Sequence, residues 1–253
     1  MDIDLENKNI LVTGGSRGIG RAIVDYLLEQ DASVGIHYNN ESAVVKNITT
    51  AHPGKAFGFQ CDFDVLDTVP QFFARVIEEM GHIDVLVNNA GIAVSSDITG
   101  PDEVWIETWN KTMNINLNAV GFLCKKTIQH FLSRKQGGKI INISSRAAFR
   151  GDTPDYMDYA ASKAGMVALT RTIARAYGKH GIVAFTVAPG FVRTEMAQQF
   201  FDQYGETSTL EQIALNELTR PEDVAPFVGF LASGLADHAT GGTFDINAGS
   251  YVH

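Results

Sequence analysis

The chain has 253 residues, and its 20 Lys and Arg against 29 Asp and Glu leave a net charge of −9 at neutral pH. Apolar residues make up 45% and charged residues 19%. That balance excludes a disordered chain, and it gives no electrostatic reason to expect nucleic-acid binding, because phosphate backbones repel a net negative surface. Two cysteines without a CxxC pair, an acidic start at residues 1–6 and no run near ~18 apolar residues predict a reduced, cytoplasmic protein that makes no membrane contact.

In chain order, Ile10-Leu11-Val12-Thr13 reads as a strand, followed by a Gly-rich turn and an apolar-periodic helix over about 18–30. Further strands are predicted at 32–36, 56–60, 84–87, 139–143, 183–187 and 243–246, with helical patterns between them. Val- and Ile-rich strands spaced by helix-length segments predict βαβ units. The expected fold is therefore α/β, a doubly wound seven-stranded parallel sheet of Rossmann type. No linker or charge block divides the chain, so residues 1–253 are expected to form a single domain. Residues 191–220 break the rhythm, with helical pieces and no strand. They follow strand six and are a candidate substrate lid over the carboxyl edge, where ligands of open α/β sheets bind.

The segment Thr13-Gly14-Gly15-Ser16-Arg17-Gly18-Ile19-Gly20 follows the first strand and opens a helix. Gly14, Gly18 and Gly20 form G-x-x-x-G-x-G. Missing β-carbons allow a tight turn and bring backbone N–H groups and a helix N-terminus close to a pyrophosphate. NAD enzymes of this architecture place a carboxylate about 20 residues on, to bond the adenosine ribose. Here strand two ends His37-Tyr38-Asn39-Asn40, and the first acid, Glu41, is expected in the next helix. Arg17 inside the Gly loop and the neutral Asn39 favour NADP (NADPH) over NAD, since a guanidinium binds phosphate well. Three other strand ends suit the cofactor: Asp62 and Phe63, then Asn89, Ala90 and Gly91, then Pro189, Gly190, Val192 and Thr194. The seven His are scattered without an H-E-x-x-H pair, so no metal site is expected.

Tyr159-Ala160-Ala161-Ser162-Lys163 is Y-x-x-x-K, with both side chains on one helix face. A phenol has a pKa near 10, and a nearby ammonium lowers it. Ser144 and Ser145 end strand five, where either hydroxyl can hold a substrate oxygen beside the phenol. Tyr156, three residues before Tyr159, has Ala160 at the matching offset and lacks the lysine.

In order along the chain stand TGGSRGIG at 13–20, CDFD at 61–64, NNAG at 88–91, MNINL at 113–117, INISS at 141–145, YAASK at 159–163 and APGFVRT at 188–194. With these seven motifs the sequence resembles the short-chain dehydrogenase/reductases of about 250 residues, over nearly its whole length. The resemblance implies a catalytic tetrad of Asn116, Ser145, Tyr159 and Lys163. It implies that Ser145 and Tyr159 bond the substrate carbonyl, that Tyr159 donates the proton, and that Tyr159 and Lys163 also contact the cofactor. Lys163 is further implied to depress the Tyr159 pKa, and Asn116 to interrupt its helix.

Within the family the sequence is most similar to 3-oxoacyl-[acyl-carrier-protein] reductase-like members, which implies a carbonyl reductase or alcohol dehydrogenase with an acyl-carrier-bound or small carbonyl substrate. Those members place Arg before strands five and six; the matching places here hold Gln136 and His180, with Arg134, Lys135 and Lys179 close by. The Ser145-to-Tyr159 spacing of 14 is one longer than usual, so the wall of the substrate pocket is expected to differ. A sugar or polyol dehydrogenase of the same family is the alternative, and a non-catalytic nucleotide-binding sensor a remoter one. The resemblance also implies a homotetramer.

Overall fold

A computed structural model describes residues 3–198, 210–215 and 217–252. Seven strands run in chain order: β1 (Asn9–Val12), β2 (Ser33–Tyr38), β3 (Ala56–Gln60), β4 (Val85–Asn88), β5 (Gly138–Ile143), β6 (Ile182–Pro189) and β7 (Thr243–Ile246). They form one sheet in the order β3-β2-β1-β4-β5-β6-β7, and every pairing is parallel. The predicted strands all occur, shifted by no more than two residues at an end. The order reverses direction between β1 and β4, and that switch point opens a crevice at the carboxyl ends of the strands.

The strands are buried on both faces because their side chains alternate. Ile10 and Val12 point into one core with Val85, Val87, Ile141 and Ile143. Their neighbours Leu11, Leu86 and Ile140 point into the other. Helices α1 (Gly18–Glu29), α2 (Ala43–Ala51) and α8 (Pro221–Ser233) cover the first face. Helices α3 (Val69–Met80), α5 (Ala119–Arg134) and α7 (Met157–Tyr177) cover the second. Each fully buried Leu, Ile or Val contributes about 1.5–3 kcal/mol relative to exposure.

Two local departures from regular helix matter for the site. Helix α4 (Asp102–Met113) enters α5 through a π-helical turn at Asn114–Asn118, so the helix is interrupted where the resemblance implied. Between β5 and α7 a short helix, α6 (Ala147–Arg150), and a 3-10 turn at Pro154–Tyr156 take up the longer loop. Of the 191–220 segment, residues 199–209 and 216 lie outside the described residues. Its two ends are joined by a bridge between Val192 and Thr219. Among the described residues no helix is long and apolar enough to cross a membrane.

Candidate active site

The ends of β1 to β4 are stitched together by side chains. Thr13 Oγ accepts the backbone N–H groups of Asn89 (2.9 Å) and Ala90 (3.0 Å). The Asn89 amide donates back to the carbonyls of Thr13 and Gly14. His37, 3% exposed, accepts the Gly14 N–H at Nδ1 (3.0 Å). Its Nε2 lies 2.9 Å from the Cys61 carbonyl, which can only accept, so the ring is the neutral tautomer protonated at Nε2. The ring stacks on Phe63 at 3.9 Å, and burial holds its pKa down at about 4. His37 therefore ties the Gly loop to β2 and to the end of β3. Sequence reasoning noted it only as a neighbour of Asn39.

The Gly loop is shaped for close approach. Gly14 has φ +65°, and a β-carbon there would sit 2.9 Å from the Ala90 α-carbon. A β-carbon on Gly20 would clash with the Gly14 carbonyl oxygen and the Asn89 amide. Helix α1 starts with Arg17 as N-cap, without a capping side chain and without an acid in its first turn. Its first N–H groups and its positive dipole end are left for an anion. This cradle fits a dinucleotide pyrophosphate.

Every predicted cofactor residue, from Gly14, Ser16, Arg17, Gly18, Ile19 and Gly20 through Asn39, Asp62, Phe63, Asn89, Ala90 and Gly91 to Pro189, Gly190, Val192 and Thr194, lines one cavity of about 600 Å³. Ser145, Tyr159 and Lys163 line the same cavity. Two details differ from expectation. Glu41 lies in the loop before α2 rather than in the helix, and its residue lines the cavity beside Asn39. Arg17 is ion-paired to Glu195 at 2.7 Å, both side chains being largely exposed.

Tyr159 and Lys163 share one face of α7, with the Lys163 Nζ 5.7 Å from the phenol ring centre. Burial pushes the Tyr159 pKa up to about 12; a side-chain hydrogen bond with Ser145 opposes this and the charge of Asp152 adds to it. The expected depression by Lys163 is not found. The ammonium donates instead to the Ile143 carbonyl at 2.9 Å, and its own pKa falls to about 8 through burial.

The two strand-end serines separate cleanly. Ser144 Oγ donates to the Lys163 carbonyl (2.8 Å), whereas Ser145 meets the phenol. Asn116 does not line the cavity. Its amide accepts the Ile92 N–H (2.9 Å) and donates to the Ile92 carbonyl (2.9 Å) and to Ser162 (3.2 Å), fixing the loop after β4. A β-carbon on Gly91 would lie 3.3 Å from both Asn116 Oδ1 and Lys163 Nζ, so the two groups flank that glycine.

The far wall comes from Ile92, Phe191 and Met196 and, out of the lengthened loop expected to shape it, from Arg146, Arg150 and Asp152. Tyr156 is also there. Gln136 and His180 precede β5 and β6, at the edge opposite the cavity. Arg134 is engaged with the Ile83 carbonyl (2.8 Å) and Asp84 (3.3 Å).

Comparison with known proteins agrees with this geometry. A family model described as short chain dehydrogenase matches residues 8–205. The chain is 36% identical over 250 residues to a 3-oxoacyl-[acyl-carrier-protein] reductase FabG of Staphylococcus epidermidis, covering 97% of this chain and 100% of that one. It is 32% identical over 248 residues to a 2-dehydro-3-deoxy-D-gluconate 5-dehydrogenase of Escherichia coli, covering 97% and 96%. A crystal structure of a short-chain type dehydrogenase/reductase from Mycobacterium marinum superposes with a TM-score of 0.90 at 27% identity, covering 99% of this chain and 98% of that one. The chain belongs to the short-chain dehydrogenase family and is an NAD(P)-dependent oxidoreductase acting on CH–OH and C=O groups.

Proposed function

We propose that the protein is an NADPH-dependent carbonyl reductase, reversible as an alcohol dehydrogenase, in which Tyr159 is the proton donor. The observation that carries this reading is the meeting of Tyr159, Ser145 and Lys163 in the cavity that holds the Gly loop. Bound nicotinamide supplies a hydride to the carbonyl carbon. The chain's own residues do the rest. A phenol with pKa about 12 stays protonated at neutral pH and donates to the developing alkoxide. Ser145 places a second donor on the same oxygen. Lys163, with its pKa near 8, sets a positive charge close to the phenol. Asn116 positions the Ile92 loop against them.

The choice of NADPH rests on the neutral Asn39 and Asn40 after β2 and on Arg17 in the Gly loop. The exposed Arg17–Glu195 pair is weak enough for a phosphate to displace. The described parts of 191–198 sit over the Gly loop, held by that pair and by Thr194 against Gly18, which suits a substrate lid. The FabG relative supports a 3-oxoacyl thioester as substrate and the gluconate relative a sugar acid.

Tyr159→Phe tests the mechanism. Reduction of an activated ketone with NADPH is expected to fall by about a thousandfold, with NADPH binding retained in calorimetry. Equal turnover by mutant and wild type overturns it. A nucleotide-binding sensor would show that equality.

A further inference from the structure

Among the described residues, Arg150 and Lys163 of the cavity wall each hydrogen-bond a neighbour, whereas the Arg146 guanidinium has a buried N–H donor without a partner. Arg146 follows Ser145 directly and is only 5% exposed, although it lines the cavity. Its backbone N–H is fixed to the Pro189 carbonyl at 3.0 Å, and its guanidinium lies 4.2 Å over the Phe191 ring. That stacking sets where the guanidinium sits but satisfies none of its in-plane N–H donors. Nη1 is buried without a hydrogen-bond partner. Among the described residues Arg146 makes no ion pair. The charges nearest to it are Arg150, which repels it, and Asp152, which attracts it from beyond ion-pair distance. Even lowered to about 10 by desolvation, its pKa leaves it fully charged at neutral pH.

A buried, unpaired guanidinium is costly, and a protein keeps one where an anion completes it. The planar fork of Arg matches a carboxylate in a bidentate manner. Position decides what carries that anion. Arg146 stands beyond β5, beside Ser145 and Phe191, not on the β1–β2 side where the Gly loop and Asn39 lie. Asp152 acts on the charges of both Arg146 and Tyr159, so the guanidinium and the phenol share one electrostatic neighbourhood. An anion on Arg146 therefore belongs to the molecule that presents its carbonyl to Tyr159.

We propose that Arg146 binds a carboxylate of the substrate, making the substrate class oxo acids and the corresponding hydroxy acids. The proposal rests on the carbonyl-reductase reading and narrows it. It disfavours a neutral thioester tail as the group next to Arg146.

The test compares NADPH-linked reduction of pyruvate, acetoacetate and levulinate with that of their methyl esters, which places the carboxylate at three distances from the ketone. For at least one pair the acid is expected to exceed its ester at least tenfold in kcat/KM. Arg146→Met is expected to collapse that acid-to-ester ratio at least tenfold, and Arg146→Lys to keep more of it than Arg146→Met. Esters equal to or better than acids in all three pairs, or a ratio untouched by Arg146→Met, overturns the proposal. A binding measurement separates it from the reading beneath it. With oxidised cofactor present, wild type is expected to bind butanoate more tightly than butanamide in calorimetry, and Arg146→Met to lose the difference. No preference for butanoate overturns the carboxylate site. Preference for butanoate without reduction of any ketone keeps the site and overturns the reductase reading.

Discussion

The two halves of the cavity are built differently. On the side of β1 to β4 the polar groups around the Gly loop are matched to one another: Thr13 to the Asn89 and Ala90 backbone, Asn89 to Thr13 and Gly14, His37 to Gly14 and Cys61. On the side after β5 the cavity wall leaves a buried donor, Arg146 Nη1, without a hydrogen-bond partner. A closed network holds its shape whatever binds, which suits a ligand that is the same for a whole family. An open one waits for a partner that differs from member to member. Relatives with similar identity but different named substrates fit that division.

Four perturbations test this contrast, and the largest should come from the boundary between the halves. Ser145→Ala removes a donor to the carbonyl oxygen and should lower kcat by about a hundredfold. Ser144→Ala removes a bond to the Lys163 carbonyl and should register as about 1 kcal/mol of stability. If denaturation and turnover assign the two serines the other way round, the boundary is misplaced.

Second in size is the acid sensitivity of the closed half. The folded protein keeps His37 neutral down to about pH 4, whereas an ordinary histidine protonates near 6.5. Between those values the unfolded chain holds the extra proton, so stability falls as pH falls. The loss should approach about 3 kcal/mol by pH 4. Urea titrations of wild type and His37→Asn across that window should show a flatter acid branch in the variant; parallel curves would remove His37 from the account.

Gly20→Ala comes next. Its β-carbon would meet the Gly14 carbonyl and the Asn89 amide, which calls for a backbone shift and about 2 kcal/mol. Thermal unfolding should show that loss together with weaker NADPH binding. A variant as stable and as tight as wild type would mean that the closed half is not closed. The smallest effect belongs to the exposed rim. Arg17→Ala should reduce the preference for NADPH over NADH by a few fold, and Glu41→Gln should raise it by a similar factor, given the weak energetics of exposed charges. Equal kcat/KM for the two cofactors in wild type would end the argument for NADPH.

The cofactor half was legible in the sequence because its parts are short and local. A Gly cluster, a strand before it and a helix after it lie within about 20 residues, and the loops that join it are the ends of strands whose Val and Ile rhythm is plain. Tyr159 and Lys163 were legible for the same reason, since one helix turn sets their spacing. His37 was not, because its two partners, Gly14 and Cys61, lie 23 and 24 residues away on either side. Arg146 lies in the lengthened loop expected to wall the pocket, but its own role had no signal in the sequence. Nothing local says that the Phe191 ring, 45 positions on, lies against it or that its Nη1 is buried without a hydrogen-bond partner.

By itself, then, the sequence determined the doubly wound sheet, the pyrophosphate cradle and the residues of the phenol–lysine pair, because periodicity and missing β-carbons act over a few residues. Only the tertiary structure decided which serine meets the phenol, how burial tunes the phenol and the imidazole, and which guanidinium keeps a buried donor without a partner. Those properties depend on desolvation and on distances between groups far apart in the chain, and packing alone sets them.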